Sequence, residues 1–446
     1  MTTDHATQDS SSRWGRETDL ALQRFTISGE VVPTAIVHAI AMIKAEAART
    51  NDELGRIPSE MAIAIERAAN EITRGAFDDQ FPIDVFQSGS GTNTNMNVNE
   101  VVASIAAEQL GAPVHPNDHV NASQSSNDVF PSAIRIAAAQ TIRGQLVPAL
   151  ETLGVELARL VEQHQETVKL GRTHLMDAVP MTFGQEASAW QRAVHLGATR
   201  LHGVMPRLLE LPLGGTAIGT GLNAPARFGE LIAARIAARC SLPFVEAENH
   251  FEAQAAQDVL VELSGACKVV GMSLHKIAGD LRLLASGPEA GLGELARPGL
   301  LAGSSIMPGK VNPVICEAVQ QVSAQVVGND ATITFGATAS TLQLNTAMPV
   351  MARATMSSLS ILAGAAEALG THVLPGTVAH AVTMRKYAGS LSALVTVLAP
   401  FAGYDAAARI AQAVRSGSAS LPEALAHEGV DVDLASIGLI NPSSEG

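Results

Sequence analysis

The sequence predicts a mainly α-helical chain whose centre is a bundle of very long helices. Three observations carry this. Hydrophobic residues make up 47% of the 446 residues and aromatics only 3%, so the core has to be aliphatic and alanine-rich, a composition that suits close-packed helices. Residues 132–166, SAIRIAAAQTIRGQLVPALETLGVELARLVEQHQE, read as one long helix kinked at Pro148. Residues 251–286, FEAQAAQDVLVELSGACKVVGMSLHKIAGDLRLLAS, are apolar around much of the helical circumference, as in a helix buried inside a bundle. The length suffices for a large core and for about three domains.

Taken in order, the first dozen residues read as a polar tail. Ile36, Ile40 and Ile43, then Met61, Ile63, Ile65 and Ala69, recur at helical spacing, with Pro58-Ser59-Glu60 as a helix start between them. Phe81-Pro82-Ile83-Asp84-Val85-Phe86 alternates like a short strand. Long helices are expected after Pro131 and over 185–210, 251–286 and 313–334. From Gly376 shorter helices follow, with a turn around Gly403. Residues 388–404, AGSLSALVTVLAPFAGY, are broken by Ser, Thr, Gly and Pro400, so they read as a buried helix and a turn rather than a membrane span.

Composition also excludes. A net charge of −14 argues against a nucleic-acid partner, which needs a basic face. It leaves any anionic substrate dependent on a local cluster of donors. Cys240, Cys267 and Cys316 are far apart, which points to a reducing cytoplasm and not to a disulfide framework or structural zinc. No apolar segment near the start resembles a secretory signal.

Four segments rich in small polar residues adjoin predicted helices. In SGSGTNTNMNVNE (88–100), Thr92, Asn93, Thr94 and Asn95 precede the apolar run VVASIAAEQL; Thr and Asn are capping residues, but four in a row exceed what a cap needs. In HPNDHVNASQSSNDVFPSAIRIA (115–137), Ser125, Ser126, Asn127 and Asp128 precede a helix, with Asn127 or Asp128 as its cap and Pro131 in its first turn. Such a helix start suits a carboxylate. His115 and His119 lack metal-site spacing. In GRTHLMDAVPMTFGQE (171–186), Thr173 and His174 fall in a segment connecting helices, and a loop histidine can act as acid or base near neutral pH. In GSSIMPGKVNP (303–313), the glycine spacing and Val311 do not fit a magnesium-nucleotide loop, and Ser304 and Ser305 stand in no GxSxG or SxxK motif. Lys310 supplies charge, Asn312 an amide and Pro313 the start of the next helix, with Glu317 about one turn along it.

Together with LGGTAIGTGLN (213–223), these segments resemble, in order, the motifs of the fumarase/aspartase superfamily of lyases, and most nearly the metal-independent class II fumarases. The resemblance covers nearly the whole chain. It implies a three-domain chain: a mostly helical N-terminal domain (1–126), a central long-helix bundle carrying the signature loop (127–376) and a small C-terminal helical domain (377–446). Four chains would make a homotetramer with a twenty-helix core, each active site shared among three subunits. It implies reversible anti addition of water to fumarate, a small dicarboxylate, with no metal or cofactor and no nucleic-acid or membrane partner. By resemblance Ser304 is the general base, and His174, oriented by Glu317, acts through a water as the acid. Ser90, Thr92, Ser125, Ser126, Asn127, Thr173, Ser305, Lys310 and Asn312 bind substrate. His115, Asn117 and Asp118 form a second carboxylate site.

The chain departs from the family pattern in places. Leu20 stands where Arg is usual, Gly279 where Asn is usual, Gln343 where fumarases carry Glu, and Ala399 where the family reads Asn; no basic residue immediately precedes His115. The alternatives are therefore an aspartate ammonia-lyase, or another C–N lyase acting on a substituted succinate. A structural homologue that has lost activity would be expected to have lost Ser304, Lys310, Asn312 or His174, and all four are present.

Overall fold

A computed structural model describes residues 12–296, 307, 310–389 and 398–432. The chain is mainly helical, and among the described residues its strands are short and paired in two-stranded sheets. It divides into two compact units. The first comprises residues 1–148, 199–271 and 322–363; the second comprises 149–198, 272–321 and 364–446.

The first unit opens with α1 (Arg16–Arg24), α2 (Thr34–Glu53), α3 (Ser59–Thr73), α4 (Thr92–Leu110) and α5 (Ser126–Thr141). Helix α2 packs on α3 and α5, and α4 packs on α3. The helical spacing read in the sequence is the buried face: Ile36, Ile40, Ile43, Ile65 and Ala69 are fully buried, whereas Ile63 faces outward. Glu100 of α4 receives the N–H groups of Gly15, Glu17 and Thr18 and so caps α1.

Residues 81–86 do not form a strand. Asp84 makes one isolated bridge with Val31, while its carboxylate accepts the N–H groups of Ile27, Ser28, Gly29 and Phe86. Burial alone would raise the Asp84 pKa, but these N–H groups and the Ser28 hydroxyl reverse that and hold it well below the usual carboxylate range. The apparent alternation buries one edge of a loop wrapped around a carboxylate.

The predicted long helix is present as α5, a π-helical turn at Ile142–Leu146, and α6 (Val147–Gln163). The π turn lies immediately before Pro148, whose missing N–H would otherwise break the ladder. Its start differs from expectation. Ser125, not Asn127 or Asp128, is the cap, and Asp128 completes a capping box from the third helical position. Pro131 therefore stands in the second turn. The remaining long helices are α7 (Phe183–Leu208), α8 (Phe228–Cys240), the short α9 (His250–Ala255), α10 (Asp258–Leu284), α11 (Val314–Ala337) and α12 (Met348–Ala368). The 251–286 stretch is thus two helices, parted where Ala256 takes an extended conformation.

In the second unit a β-hairpin stands between α6 and α7: β1 (Val168–Thr173) pairs antiparallel with β2 (Met176–Thr182). The sequence reading expected only a connection between helices there. Trp190 of α7 donates to Asp280 of α10 at 2.9 Å and stacks edge-on against Phe183. Helix α13 (Ala381–Ala388) packs on β1. The helices Tyr404–Arg415 and Leu421–His427 close a small core of Leu398, Ile410, Ala424 and Leu425. No described helix is long and apolar enough to cross a membrane; residues 390–397 of the stretch discussed above lie outside the described residues.

Candidate active site

In the first unit, two helix starts meet. Helix α4 begins at Thr92, nine residues earlier than the apolar run suggested: Thr94, Asn95, Asn97 and Asn99 are buried in its first turns, and the first three bond to neighbouring loops. Gly91 caps it at φ 67°, and a Cβ there would lie 2.1 Å from the Phe130 ring of α5. Only glycine permits that approach. The result is a chain of hydroxyls: Ser90 Oγ to Thr92 Oγ1 at 2.7 Å, and Thr92 Oγ1 to Ser126 Oγ at 2.8 Å. Ser125 accepts the Asn127 N–H, and Asn127 donates its amide to the Ala217 carbonyl at 2.7 Å. The N–H groups of Gly214 and Thr216 bond to Asp128. The 213–223 segment is thereby docked on the α5 start.

A buried cation underlies this segment. Lys44 of α2 is fully buried and donates to Asn121 at 2.8 Å and Gln124 at 3.0 Å, just before Ser125. Burial pulls its pKa down to about 7, and burial pushes Asp128 up to about 7 against the N–H groups that cap it. Sequence reasoning missed Lys44. The signal was its position four residues after Ile40, on the buried face.

His115, Asn117 and Asp118 come together. His115 Nδ1 accepts the N–H groups of Asn117 and Asp118 and lies 3.2 Å from the Asp118 carboxylate. The group is exposed, and Asn117 contributes its backbone N–H. Among the described residues, no group of three or more His, Cys, Asp or Glu side chains is arranged to hold a metal ion.

In the second unit the predicted residues form two separate places. Thr173 and His174 stand on the exposed tip of the hairpin. His174 (φ 56°) and Leu175 (φ 62°) are the two turn residues, both left-handed, as two-residue hairpin turns demand. Lys310, Asn312 and Glu317 line a cavity of ≈ 730 Å³, with Gly279, Arg282, Gln320, His372 and His380. Glu317 lies 3.5 Å from Arg282, which also donates to Gln320. The hairpin tip does not line this cavity, so one chain does not set His174 beside Glu317 there. Arg282, Gln320, His372 and His380 were not singled out by the sequence. Ser304 and Ser305 lie outside the described residues.

Known proteins share this arrangement of helices. A sequence profile of the lyase family matches residues 4–328. Class II fumarate hydratases of Pseudomonas putida and Corynebacterium glutamicum are each 48% identical; the aligned parts cover 92% and 90% of this chain and 90% and 84% of theirs. Among solved structures, the class II fumarase from Schistosoma mansoni superimposes with a TM-score of 0.92 at 35% identity, covering 95% of this chain and 93% of that one. A fumarate lyase:delta crystallin from Brucella melitensis, bound to cobalt, gives 0.89 at 39% identity, covering 95% of each. Fold and matches together define a helical lyase. The chain belongs to the fumarase/aspartase superfamily, with class II fumarate hydratases among its relatives.

Proposed function

We propose that the protein is a class II fumarate hydratase, adding water reversibly and anti across fumarate to give (S)-malate. The observation that carries this reading is the linked hydroxyl chain of Ser90, Thr92 and Ser126 at two converging helix starts. In a chain of net charge −14, such oriented hydroxyls and free helix N–H groups are what a carboxylate can bind. Ser304 takes the proton from carbon. Lys310 and Asn312 stabilise the charge that develops on the neighbouring carboxylate. His174, oriented by Glu317 and acting through a water, protonates the departing hydroxide in the reverse direction. Ser90, Thr92, Ser125, Ser126, Asn127, Thr173 and Ser305 bind substrate oxygens, and His115, Asn117 and Asp118 hold a second carboxylate.

Within the second unit, the hairpin tip and the lysine-lined cavity are distinct places, which supports a site completed by other subunits; three subunits of a homotetramer sharing each site belong to the proposal. Exposed apolar side chains on α10 and α11, Met272, Leu283, Val327 and Phe335, support helix burial between chains. The division at 126/127 and 376/377 and a cytoplasmic location belong to the same proposal; the free Cys240, Cys267 and Cys316 agree with the latter. A second reading, a lyase for a substituted succinate, draws on Gly279. It lines the cavity, and a Cβ there would meet only Gln320 at 3.5 Å.

The test is the absorbance of fumarate with purified protein, without and then with ammonium. Loss without ammonium, with malate formed, is the expected result. Loss only with ammonium would make the enzyme an ammonia-lyase, and no loss in either would favour a substituted substrate. Ser304→Ala should lower turnover by roughly four orders of magnitude with the assembly intact; a near-normal rate would remove Ser304 from the role of base.

A further inference from the structure

The base of the β1–β2 hairpin holds a buried cluster of charges. Lys169 is 2% exposed; it pairs with Glu186 of α7 and lies 3.1 Å from Glu294. Arg172 lies 2.9 Å from the other Glu294 oxygen. Glu294 itself is 0% exposed. In a flat strand, residues 169 and 172 would face opposite sides. Here the ladder is bulged: between the pairs Leu170–Pro180 and Arg172–Asp177, Gly171 alone opposes Ala178 and Val179. A bulge increases the local twist, and both cations reach one carboxylate. Gly171 permits the bulge, since a Cβ there would lie 2.9 Å from the Val179 carbonyl oxygen.

Glu294 is anchored in turn. Its N–H donates to the Leu284 carbonyl at the end of α10, and its carbonyl accepts the N–H of His380, which starts α13. From α13, the Tyr387 ring lies 5.5 Å from the Arg172 guanidinium. His380 points its Nδ1 at the Gly293 carbonyl oxygen. The charged and titratable groups around Glu294 are thus Lys169 and Arg172 from β1, Glu186 from α7 through Lys169, and His380 and Tyr387 at α13. Burying Lys169 and Glu294, with Arg172 and Glu186 half-buried beside them, is expensive, and well-packed apolar residues would often hold a hairpin as firmly. Each Glu294 oxygen lies within ion-pair distance of one cation and accepts no hydrogen bond, so what the cluster adds is an electrostatic tie between the hairpin and the Glu294 segment. Thr173 and His174 follow Arg172 directly, at the exposed tip of the same strand.

We propose that Glu294 is a positioning residue: acting through Lys169 and Arg172, it sets the twist of the hairpin and so the place of Thr173 and His174. The inference rests on the reading of His174 as the acid. Glu294→Gln keeps the shape and removes one charge. In the assembled enzyme, kcat for malate dehydration should fall about 10–100-fold, KM should change by less than about three-fold, and the pH limb of kcat that His174→Asn abolishes should move by about half a unit or more. Amide exchange of the 168–182 peptide should speed up with that of α6 and α7 unchanged. Arg172→Lys, which keeps the charge and loses the planar fork, should do the same to a lesser degree, and it carries the test if Glu294→Gln does not assemble. A lowered melting temperature with unchanged kcat, pH limb and hairpin exchange would mean packing alone and would overturn the proposal. If the wild type does not hydrate fumarate, or His174→Asn keeps full activity, the functional reading fails. The exchange of 168–182 then still decides the role of Glu294: faster exchange supports it and unchanged exchange overturns it.

Discussion

The hydroxyl cluster of the first unit and the charge cluster of the second are both polar, and they stand in opposite relation to water. Thr92 is exposed, Ser126 is half-buried, and their bonds are between neutral hydroxyls. Lys169 and Glu294 are buried outright and bonded by charge. Exposed hydroxyls at a helix start cost the fold little and can exchange their partners for a ligand's oxygens. Buried charges cannot be exchanged without a large penalty. On the proposed function, the first region would bind and the second would hold the hairpin that carries His174.

The largest expected effect tests the second half of that contrast. Lys169→Met removes the cation that Glu186 and Glu294 share and leaves the buried Glu294 with Arg172 alone. Breaking a buried pair in this way costs about 3–5 kcal/mol. A urea titration should show the loss as a lower midpoint with little change in slope. A loss below about 1 kcal/mol would mean that water already solvates these charges, and the contrast would fail.

The first unit is not free of buried charge, and pH separates that part from the hydroxyls. Burial raises Asp128 from 3.8 to about 7. The folded protein therefore binds a proton that the unfolded chain releases between roughly pH 4 and 7. This contribution is complete below pH 4 and is lost as pH rises through about 7. Lys44, lowered by burial from 10.5 to about 7, acts on the other side: stability rises from pH 7 towards 10 as the folded state gives up a proton the unfolded chain keeps. Asp128→Asn can still accept the Ser125 N–H through its one amide oxygen, while its NH2 would face the Gly214 and Thr216 N–H groups. It should remove an acid-side slope of about 1 kcal/mol per pH unit, read as urea midpoints at pH 5 and 7. An unchanged slope would show Asp128 to be ionised throughout.

The two regions were also unequally legible in the sequence. Helix starts announce themselves, because Ser, Thr and Asn satisfy free N–H groups locally, and the α5 motif was found within a residue or two. The cap itself was misplaced, since Asp128 serves the box from inside the helix. The α4 start was put too late because Asn97 and Asn99 look unsuited to a helix interior, and it is their contacts to other segments that bury them there. The hairpin was missed for physical reasons. Its turn is His174-Leu175 rather than Asn-Gly, its alternation is interrupted by the bulge, and Pro180 sits in β2. Residues 81–86 misled in the opposite way, with alternation and no partner strand. Glu294 lies in no polar motif, so only the contacts across more than a hundred residues identify it.

The smallest expected effect on stability is the one that tests the binding half of the contrast. Thr92→Val keeps the branched shape and removes the hydroxyl that links Ser90 to Ser126. Ser126 is half-buried and can bond to water, while Ser90 is buried and loses a partner, so the cost should be about 1 kcal/mol, a small shift of the melting temperature. If this oxygen binds a substrate carboxylate, KM for malate should nevertheless rise about ten-fold, the weight of one hydrogen bond to a charged group. A variant that melts early with an unchanged KM would make Thr92 a capping residue of α4 and nothing more. A stable variant with a raised KM would mean that the helix holds this hydroxyl for a ligand, as Gly91 and Phe130, pressed together beneath it, suggest.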